Sequence, residues 1–286
     1  RQGGFDVSAN VGIGVSVATG SSIAQNNDVD VRQAYLSFGN DGMGTVKLGR
    51  DYGLFGFHSI ISDMTLIGVG AATNATQNGR VSLGHIGSGY TFPGMYGQAV
   101  YTTPNMGGFS VDLGLMSPTN NLSTAKKDNL QFQARATYAG QGFKAWVGAK
   151  TQKYDGVGGF TMNAGEVGGS VSAGAFGLLA NYQGGKGIGI LADGDQGGVK
   201  GNNLLLQGTM QAAQNVKLGL GYGRSKNDSA FTGSDLRSNE NLTAGVYYNL
   251  TKSVTLVGEI GQTRSKGFSG ASAKQNSVAI GGILFF

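Results

Sequence analysis

Cysteine is absent from this chain, and proline, histidine and charge are scarce. The 286 residues include 3 Pro and 2 His, and charged residues make up 13%, against about 25% in a typical soluble domain. The missing cysteine excludes disulfides and is compatible with an exported protein. The formal net charge is only +5. Since no basic run suited to nucleic acid occurs, we expect no nucleic-acid partner.

Long hydrophobic runs are also missing. No stretch reaches the roughly 18 consecutive apolar residues of a transmembrane helix. A membrane-spanning β-strand, however, needs only about 9–11 residues, of which alternate ones face lipid. The mean hydropathy of -0.10 is what the average of one apolar and one polar face would give. Glycine is abundant, with 53 residues, and the neutral polar side chains beside it suit a wet barrel interior.

Apolar and polar residues alternate strictly from Phe5 to Val17. This period of two is typical of a strand with one apolar and one polar face, because successive side chains point to opposite sides. The pattern recurs in the segments 129–138, 143–150, 167–173, 216–222, 242–250 and 278–286. Several of these segments are longer than soluble strands, which average about 5–6 residues.

Short and long connections separate these segments. Short turns lie at 40–43, 140–142, 214–215 and 251–253, and longer polar loops at 21–29, 155–164, 184–202, 226–238 and 266–273. Tight turns at one end and long loops at the other are the asymmetry of outer-membrane barrels. We therefore predict a single all-β domain over residues 1–286, an antiparallel transmembrane barrel of roughly 14 strands. A soluble sandwich or propeller is the alternative, but it would bury only its inner faces.

One segment, about 52–95, interrupts the alternation. It is flanked by the blocks RQAYLSFG at 32–39, GTVKLGRDYG at 44–53 and VYTTPNMGGF at 100–109. These blocks, with YYNLTK at 247–252 and the closing Phe286, resemble the trimeric general diffusion porins of Gram-negative outer membranes, closest to the β-proteobacterial type. The resemblance covers essentially the whole chain.

This resemblance implies a water-filled channel for passive diffusion of small hydrophilic solutes and ions. It implies a homotrimer in contact with outer-membrane lipid and lipopolysaccharide, without a cofactor. Phe5–Val17 aligns with the family's third strand, so sixteen strands are expected, with the first two preceding this chain. A fourteen-stranded barrel is the alternative. The third loop, about 52–95 here, is expected to fold into the lumen and constrict it.

The same resemblance implies a set of constriction residues. Asp63 falls on the acidic position of the loop, with Arg32 on the basic wall. Arg50 falls where the strand gives way to the loop, a position tied either to the constriction or to the trimer contact. Arg80, within the loop, is expected to replace a wall arginine that this chain lacks near Gly94 or Met95.

Two details depart from a simple assignment. Enteric members carry a Glu where this chain has Ile67, which would leave the constriction less acidic. Strict alternation would place Arg32 on the lipid face with Ala34, whereas the resemblance places Arg32 in the pore and Tyr35 outside. We follow the resemblance here.

Further basic residues share the polar parity of their strands and are candidates for the pore lining: Lys47, Arg135, Lys144 and Lys150. With one clear acid, Asp63, against several bases, we expect a weak preference for anions. Alternative functions are a substrate-specific porin, in which Trp146 would belong to a binding track, and an adhesin or receptor barrel.

An enzyme is not expected. The two histidines, His58 and His85, both lie in the long loop, where a solvated or structural role is more common than catalysis. No metal site is expected either. The pair of carboxylates in Asp193–Asp195 could contact Ca²⁺, but such residues on a glycine-rich loop usually face water.

Overall fold

The structure is a computed structural model that describes residues 3–15, 29–68, 84–118 and 126–286. These ranges contain fourteen β-strands and one short helix. In chain order they are β1 (Asp6–Val15), β2 (Val29–Asn40), β3 (Gly44–Tyr52), α1 (Phe57–Ser62), β4 (Met95–Thr102), β5 (Phe109–Met116), β6 (Gln131–Gly140), β7 (Phe143–Tyr154), β8 (Phe160–Ala173), β9 (Phe176–Lys186), β10 (Lys200–Ala213), β11 (Val216–Asn227), β12 (Leu236–Asn249), β13 (Val254–Gly267) and β14 (Ser272–Leu284). No helix in the described ranges is long and apolar enough to cross a membrane.

Each strand pairs with its neighbours in sequence, so the strands form a single antiparallel sheet in the order β1 to β14. Among the described residues, β1 and β14 are the two ends of this sheet and do not pair with each other. The predicted all-β antiparallel fold is confirmed. The described ranges contain fourteen strands, which matches the fourteen-strand alternative.

The connections keep the predicted asymmetry, although several loops are shorter than predicted. β8 begins at Phe160, so the loop predicted at 155–164 ends earlier, and the loop predicted at 184–202 reduces to 187–199. The loops predicted at 226–238 and 266–273 likewise reduce to 228–235 and 268–271. Most of the loop predicted at 21–29 lies outside the described residues. The strands extend further because the alternation continues beyond the last apolar position of each segment.

The two faces of the sheet reverse the arrangement of a soluble protein. The outer face carries exposed apolar side chains, such as Ile260, Val278 and Ile280, and the last is 86% exposed. The inner face carries buried polar side chains, such as Gln133 and Gln183. An apolar exterior is stable only against lipid, whereas neutral polar side chains can be satisfied inside by one another and by water.

We predict that a charge on the outer face is far more costly than the same charge on the inner face. Ile280 lies in the middle of the apolar band, where an arginine costs about 2–4 kcal/mol. Urea unfolding in phospholipid vesicles should therefore show Ile280→Arg to be destabilised by that amount. The matched control is Ala279→Arg, whose side chain enters the lumen opposite Glu259. Equal destabilisation of both variants would contradict the assignment of the two faces.

Candidate functional site: an infolded loop against the inner wall

The described parts of the long connection between β3 and β4, residues 53–68 and 84–94, lie against the inner face of the sheet. It leaves β3 after Tyr52 and returns to the sheet at Met95. α1 follows Gly56, which has φ 79°, a left-handed conformation that glycine adopts without strain. A Cβ at Gly56 would meet Thr91 and Gln183. Glycine therefore allows both the turn and the close approach of the loop to the wall.

The first part of the loop is bonded to side chains of β6 and β8. Gln133 Oε1 accepts the backbone N–H groups of Leu54 at 2.7 Å and Phe55 at 2.9 Å. Both carboxylate oxygens of Glu166 accept the N–H of Gly56 at 3.0 Å. Because strand backbones already use their own groups in the ladder, buried loop N–H groups need side-chain acceptors. The wall provides these acceptors where the loop enters.

The later part of the loop is bonded to the next strands around the wall. Gln207 on β10 accepts the N–H of Met64 at 2.7 Å and donates to the carbonyl of Ser62 at 3.2 Å. Gln183 on β9 accepts the N–H of Thr91 at 3.0 Å. On β12, Asn239 donates to a carbonyl of the loop at 3.1 Å. The loop is thus held from β6 to β12.

Asp63 lies inside the loop rather than on the pore surface. Tyr90 Oη donates to its carboxylate at 2.7 Å, Thr65 Oγ1 at 2.7 Å and the backbone N–H of His85 at 2.7 Å. His85 Nδ1 lies 3.1 Å from the same carboxylate. Burial alone would raise the pKa of Asp63, but the attraction and hydrogen bonds of His85, with the bond from Thr65, lower it well below its usual range.

Asp63 therefore does not have the surroundings that the sequence suggested. The expected partner was an arginine on the wall, yet the carboxylate is enclosed by residues of its own loop. The physical reason is that a buried carboxylate is stable only with several donors around it. Here the nearest donors are local, and they join the two arms of the loop at residues 63–65 and 85–90.

The basic residues predicted as pore-lining candidates lie on the inner face of the sheet, and three of them are paired with acids. Lys47 forms an ion pair with Asp51, and Lys150 forms one with Asp193. Arg135 donates twice to Asp112, from Nη2 at 2.7 Å and from Nε at 3.0 Å. Arg135 also donates to the carbonyl of Leu54 at 3.3 Å, so it holds the loop as well as its partner acid.

Arg32 occupies a β-bulge. Gly12 pairs with Gln33 and Ile13 with Val31, which leaves Arg32 as the extra residue on β2. A bulge changes the direction of the side chain at the insertion, so strict alternation does not decide the face on which Arg32 lies. Arg32 Nε lies 3.4 Å from the hydroxyl of Tyr52. The centroid of the Tyr52 ring lies 6.1 Å from that of Phe57 and 6.3 Å from that of Phe92, both in the loop. Arg32 therefore lies at the base of the loop.

Arg50 lies on the outer face of the sheet and Tyr35 on the inner face. Arg50 pairs with Ala34 and Gly97 and shares the outer face with Leu48, which is exposed. Tyr35 was expected outside, but it lies on the inner face, where Lys47 Nζ is 5.2 Å from its ring centroid. The bulge reverses the parity of β2 between its two sides: Val31 before it is exposed, and so are Leu36 and Phe38 after it. Tyr35 follows the bulge and keeps the inner parity of Gln33. Arg80 lies outside the described residues.

A second loop, residues 187–199, also packs inside. Its Asp193 pairs with Lys150 and accepts the hydroxyl of Tyr96 at 3.0 Å. The carbonyl of Leu191 accepts the N–H of Phe92 at 2.9 Å, which joins the two loops. Asp195 accepts backbone N–H groups of its own loop, including that of Ile190 at 2.8 Å. Both carboxylates thus have protein partners, and the described residues hold no cluster suited to a metal ion.

Three glycines on β11 form a flat track beneath the loop: Gly219, Gly221 and Gly223. A Cβ on Gly219 would meet Met64, and one on Gly221 would lie 3.0 Å from His85 Cε1. At Gly223 it would overlap the carbonyl oxygen of Ser88. Side chains here would move the loop away from the wall, so the track sets how far the loop projects into the lumen.

We predict that Gly223→Ala narrows the aperture. The added methyl group forces the loop around Ser88 toward the centre of the lumen, at a cost of about 1–3 kcal/mol of stability. Single-channel conductance should fall, and thermal unfolding should occur at a lower temperature. Gly258→Ala on β13 is the matched control, because a Cβ there has no neighbour within 4 Å. An unchanged conductance in Gly223→Ala would contradict the role of the track.

His58 is a neutral bridge between the loop and two strands. Its Nε2 lies 3.1 Å from Thr137 Oγ1 on β6, and its Nδ1 lies 3.1 Å from Lys144 Nζ on β7. Burial, with the positive charges of Arg135 and Lys144, lowers the pKa of His58 from 6.5 to about 3. The ring of Trp146, the single tryptophan of the chain, lies 5.3 Å away. Trp146 is 2% exposed and packs under the loop.

We predict that acidification loosens the loop through His58. A pKa below the ordinary value means that the detached loop binds the proton more readily than the docked loop. The stabilisation by neutral His58 is therefore complete above pH 6.5 and is lost as the pH falls from 6.5 toward about 3. Tryptophan emission should shift to the red between pH 7 and pH 4, because Trp146 becomes hydrated. His58→Gln should lose most of this shift. The same shift in both proteins would assign it to other groups.

Several site residues were not predicted from the sequence. The loop acceptors Gln133, Glu166, Gln183 and Gln207 are neutral or acidic residues in alternating strands, and nothing local distinguishes them from other lumen side chains. Asp112 and Asp193 were also missed as partners of Arg135 and Lys150. Their common signal is only that acids and bases share the inner parity of their strands.

This combination defines a class of protein. A sheet of long antiparallel strands with an apolar exterior, a polar interior and an infolded loop that is fixed to the inner wall is the architecture of an outer-membrane channel. The model of the Gram-negative porin family matches residues 2–267. The chain therefore belongs to the Gram-negative porin family and forms an outer-membrane channel for passive diffusion. No curated protein sequence matches it.

Solved structures share this fold. The outer membrane channel DcaP of Acinetobacter baumannii has a TM-score of 0.75 at 15% identity, over 100% of this chain and 82% of that one. The anion-selective porin from Comamonas acidovorans has 0.62 at 19%, over 90% and 77%. OmpF of Salmonella typhi, solved in complex with daunomycin, has 0.63 at 15%, over 92% and 80%.

Proposed function

We propose that the channel is a general diffusion pore with a weak preference for anions, and that it carries no catalytic activity. One observation carries the selectivity: around the loop, the lumen acids are buried, while some lumen cations are accessible. The buried acids are Asp51, Asp63, Asp112, Glu166, Asp193 and Glu259. Lys217 is exposed, and Lys144 is half-buried with His58 as its partner rather than an acid. Passing ions therefore meet a slightly positive wall, which favours anions.

The paired residues explain why the preference should be weak. Lys47, Arg135 and Lys150 each have an acid within ion-pair distance, so most of their field is cancelled locally. The constriction role of Arg32 belongs to this proposal, since it lies at the base of the loop. Asp63 acts as the fixed centre of the loop rather than as the acidic side of the pore.

We predict that removing the two accessible lysines abolishes the preference. In planar bilayers with a salt gradient, the wild-type reversal potential should indicate a small excess of anion flow. Lys144→Gln with Lys217→Gln should bring the permeability ratio close to unity, because Lys47, Arg135 and Lys150 have acidic partners that cancel most of their field. Lys153→Gln is the control, since Lys153 lies on the outer face beside Asp155. Cation preference in the wild type would contradict the proposal.

We also propose that three copies assemble into a trimer around the outer faces of β1–β3. Arg50 supports this interface, because a cation on an apolar outer face is costly in lipid and would be shielded by a neighbouring subunit. A trimer form of OmpT of Vibrio cholerae, which is 15% identical with a TM-score of 0.60, shares the fold. In the bilayer experiment above, conductance steps in groups of three would support this assembly.

We also propose that the outer face of the sheet contacts membrane lipid and lipopolysaccharide. The apolar outer face requires lipid around most of the sheet, and the outer leaflet of this membrane consists of lipopolysaccharide. The long loops, on this proposal, lie outside the cell, and the short turns lie in the periplasm. A role as an adhesin or receptor would need a lumen that does not conduct, which the same recordings would reveal.

A further inference from the structure

The infolded loop presents apolar side chains to the lumen as well as to the wall. In α1, His58, Ser59 and Ile60 are buried, whereas Ile61 is 50% exposed and Phe57 is half-buried. Phe57 and Ile61 are four positions apart, so they lie on the same face of the helix. Because the loop lies inside the sheet, this exposed face meets the lumen.

Three further side chains extend this apolar surface. The ring of Tyr52 lies beside those of Phe57 and Phe92, and it meets Phe92 edge to face at an interplanar angle of 83°. Leu191 of the second loop is 41% exposed, and its carbonyl accepts the N–H of Phe92 at 2.9 Å. We call Tyr52, Phe57, Ile61, Phe92 and Leu191 the apolar ledge. Exposed apolar side chains that adjoin one another on a polar surface are typical of a binding site.

Two guanidinium groups border the apolar ledge. Arg32 Nε donates to the hydroxyl of Tyr52 at 3.4 Å. The central guanidinium carbon of Arg135 lies 5.6 Å from the centroid of the Phe57 ring. Positive groups beside aromatic rings form a surface that is complementary to a molecule with both a ring and a negative group.

Lys144 is the cation with the most hydrogen-bonding capacity left for a ligand. Its Nζ lies 3.1 Å from Nδ1 of His58, and the centroid of that ring lies 6.1 Å from that of Phe57. Neutral His58 accepts one of the three N–H groups of the ammonium and brings no negative charge. Arg135, in contrast, already donates twice to Asp112. Among the described residues, the charge of Lys144 is therefore the one beside the apolar ledge that can be matched by an anionic ligand.

We propose that the apolar ledge and Lys144 form a binding site in the lumen for aromatic carboxylates, small compounds with one benzene ring and one carboxylate. The ring of the ligand packs against Phe57 and Tyr52, and its carboxylate accepts hydrogen bonds from Lys144. Tilted and edge-to-face rings favour a flat aromatic partner over an alkyl group. Weak binding of this kind speeds entry from dilute solution and still permits release. The inference rests on the proposed function and deepens it, because it names a substrate class for the same channel.

The test measures how benzoate reduces the current through single channels in planar bilayers. In about 1 M KCl the Debye length is about 3 Å, so distant charges are screened and direct contacts dominate. Benzoate should reduce the current in a saturable way, and at a lower concentration than acetate, benzamide or cyclohexanecarboxylate. Phe57→Ala should raise the half-saturating concentration of benzoate about threefold to tenfold, because an aromatic contact is lost. Lys144→Gln should raise it about tenfold, because a charged hydrogen bond is lost.

Two further variants guard against indirect effects. Ile61→Ser removes apolar area at an exposed position and leaves the bonds between loop and wall in place, so the protein should fold like the wild type. It should raise the half-saturating concentration of benzoate at least about twofold. Lys217→Gln is the matched control for charge, because it removes a lumen cation from β11 beside Tyr247, apart from the apolar ledge. It should bind benzoate like the wild type.

The outcomes separate the site from the channel. Equal effects of benzoate and acetate, or unchanged benzoate affinity in both Phe57→Ala and Ile61→Ser, would overturn the site. An equal effect of cyclohexanecarboxylate would overturn the aromatic class, and an equal effect of benzamide would overturn the role of Lys144. Saturation-transfer NMR of benzoate with the detergent-solubilised full-length chain measures binding without conductance. A wild type that does not conduct, or that prefers cations, would overturn the proposed function, whereas loss of the NMR signal in Phe57→Ala would still support the site.

Discussion

The structure depends on how a long loop satisfies its polar backbone inside a barrel. The strands use their own N–H and C=O groups in the ladder, so they leave none for a segment that enters the lumen. Long amide and carboxylate side chains on the inner face take over that function. Gln133, Glu166 and Gln207 each reach a backbone group of the loop. The position of the loop is therefore set by where these side chains stand on the wall.

The need to satisfy buried polar groups also explains why the charged side chains beside the loops are paired. A lumen wall that holds a loop becomes partly dry, and a dry charge is costly unless it is paired. Arg135 shows the consequence, because one guanidinium serves both Asp112 and the carbonyl of Leu54. Lys150 on the wall likewise forms an ion pair with Asp193 of the second loop. Charges that support the loops are thus largely removed from the field that solutes meet, which is why the proposed selectivity depends on the accessible lysines.

Much of the fold could be predicted from the sequence, since a two-residue period is a local signal that sets the strand, its faces and its membrane. The site could be predicted only in part. The flanks of the infolded loop were recognisable, and β3 indeed ends at Tyr52. The partner of Asp63 was not predictable, because His85 is 22 positions away across a stretch without regular pattern. The β-bulge at Arg32 was also not predicted. Its mark in the sequence is a switch of the apolar residues from odd positions up to Val31 to even positions from Ala34, as a one-residue insertion produces.

The glycines of β11 determine the width of the aperture. A wall that only bonded the loop through long side chains would hold it at some distance, and the aperture would vary with their rotamers. The track at Gly219, Gly221 and Gly223 removes that freedom, because the loop touches the strand backbone itself. Directional bonds on β6 to β10 then fix the loop along the wall, while contact on β11 fixes its depth. A passive pore needs both, since its selectivity depends on a distance that thermal motion would otherwise change.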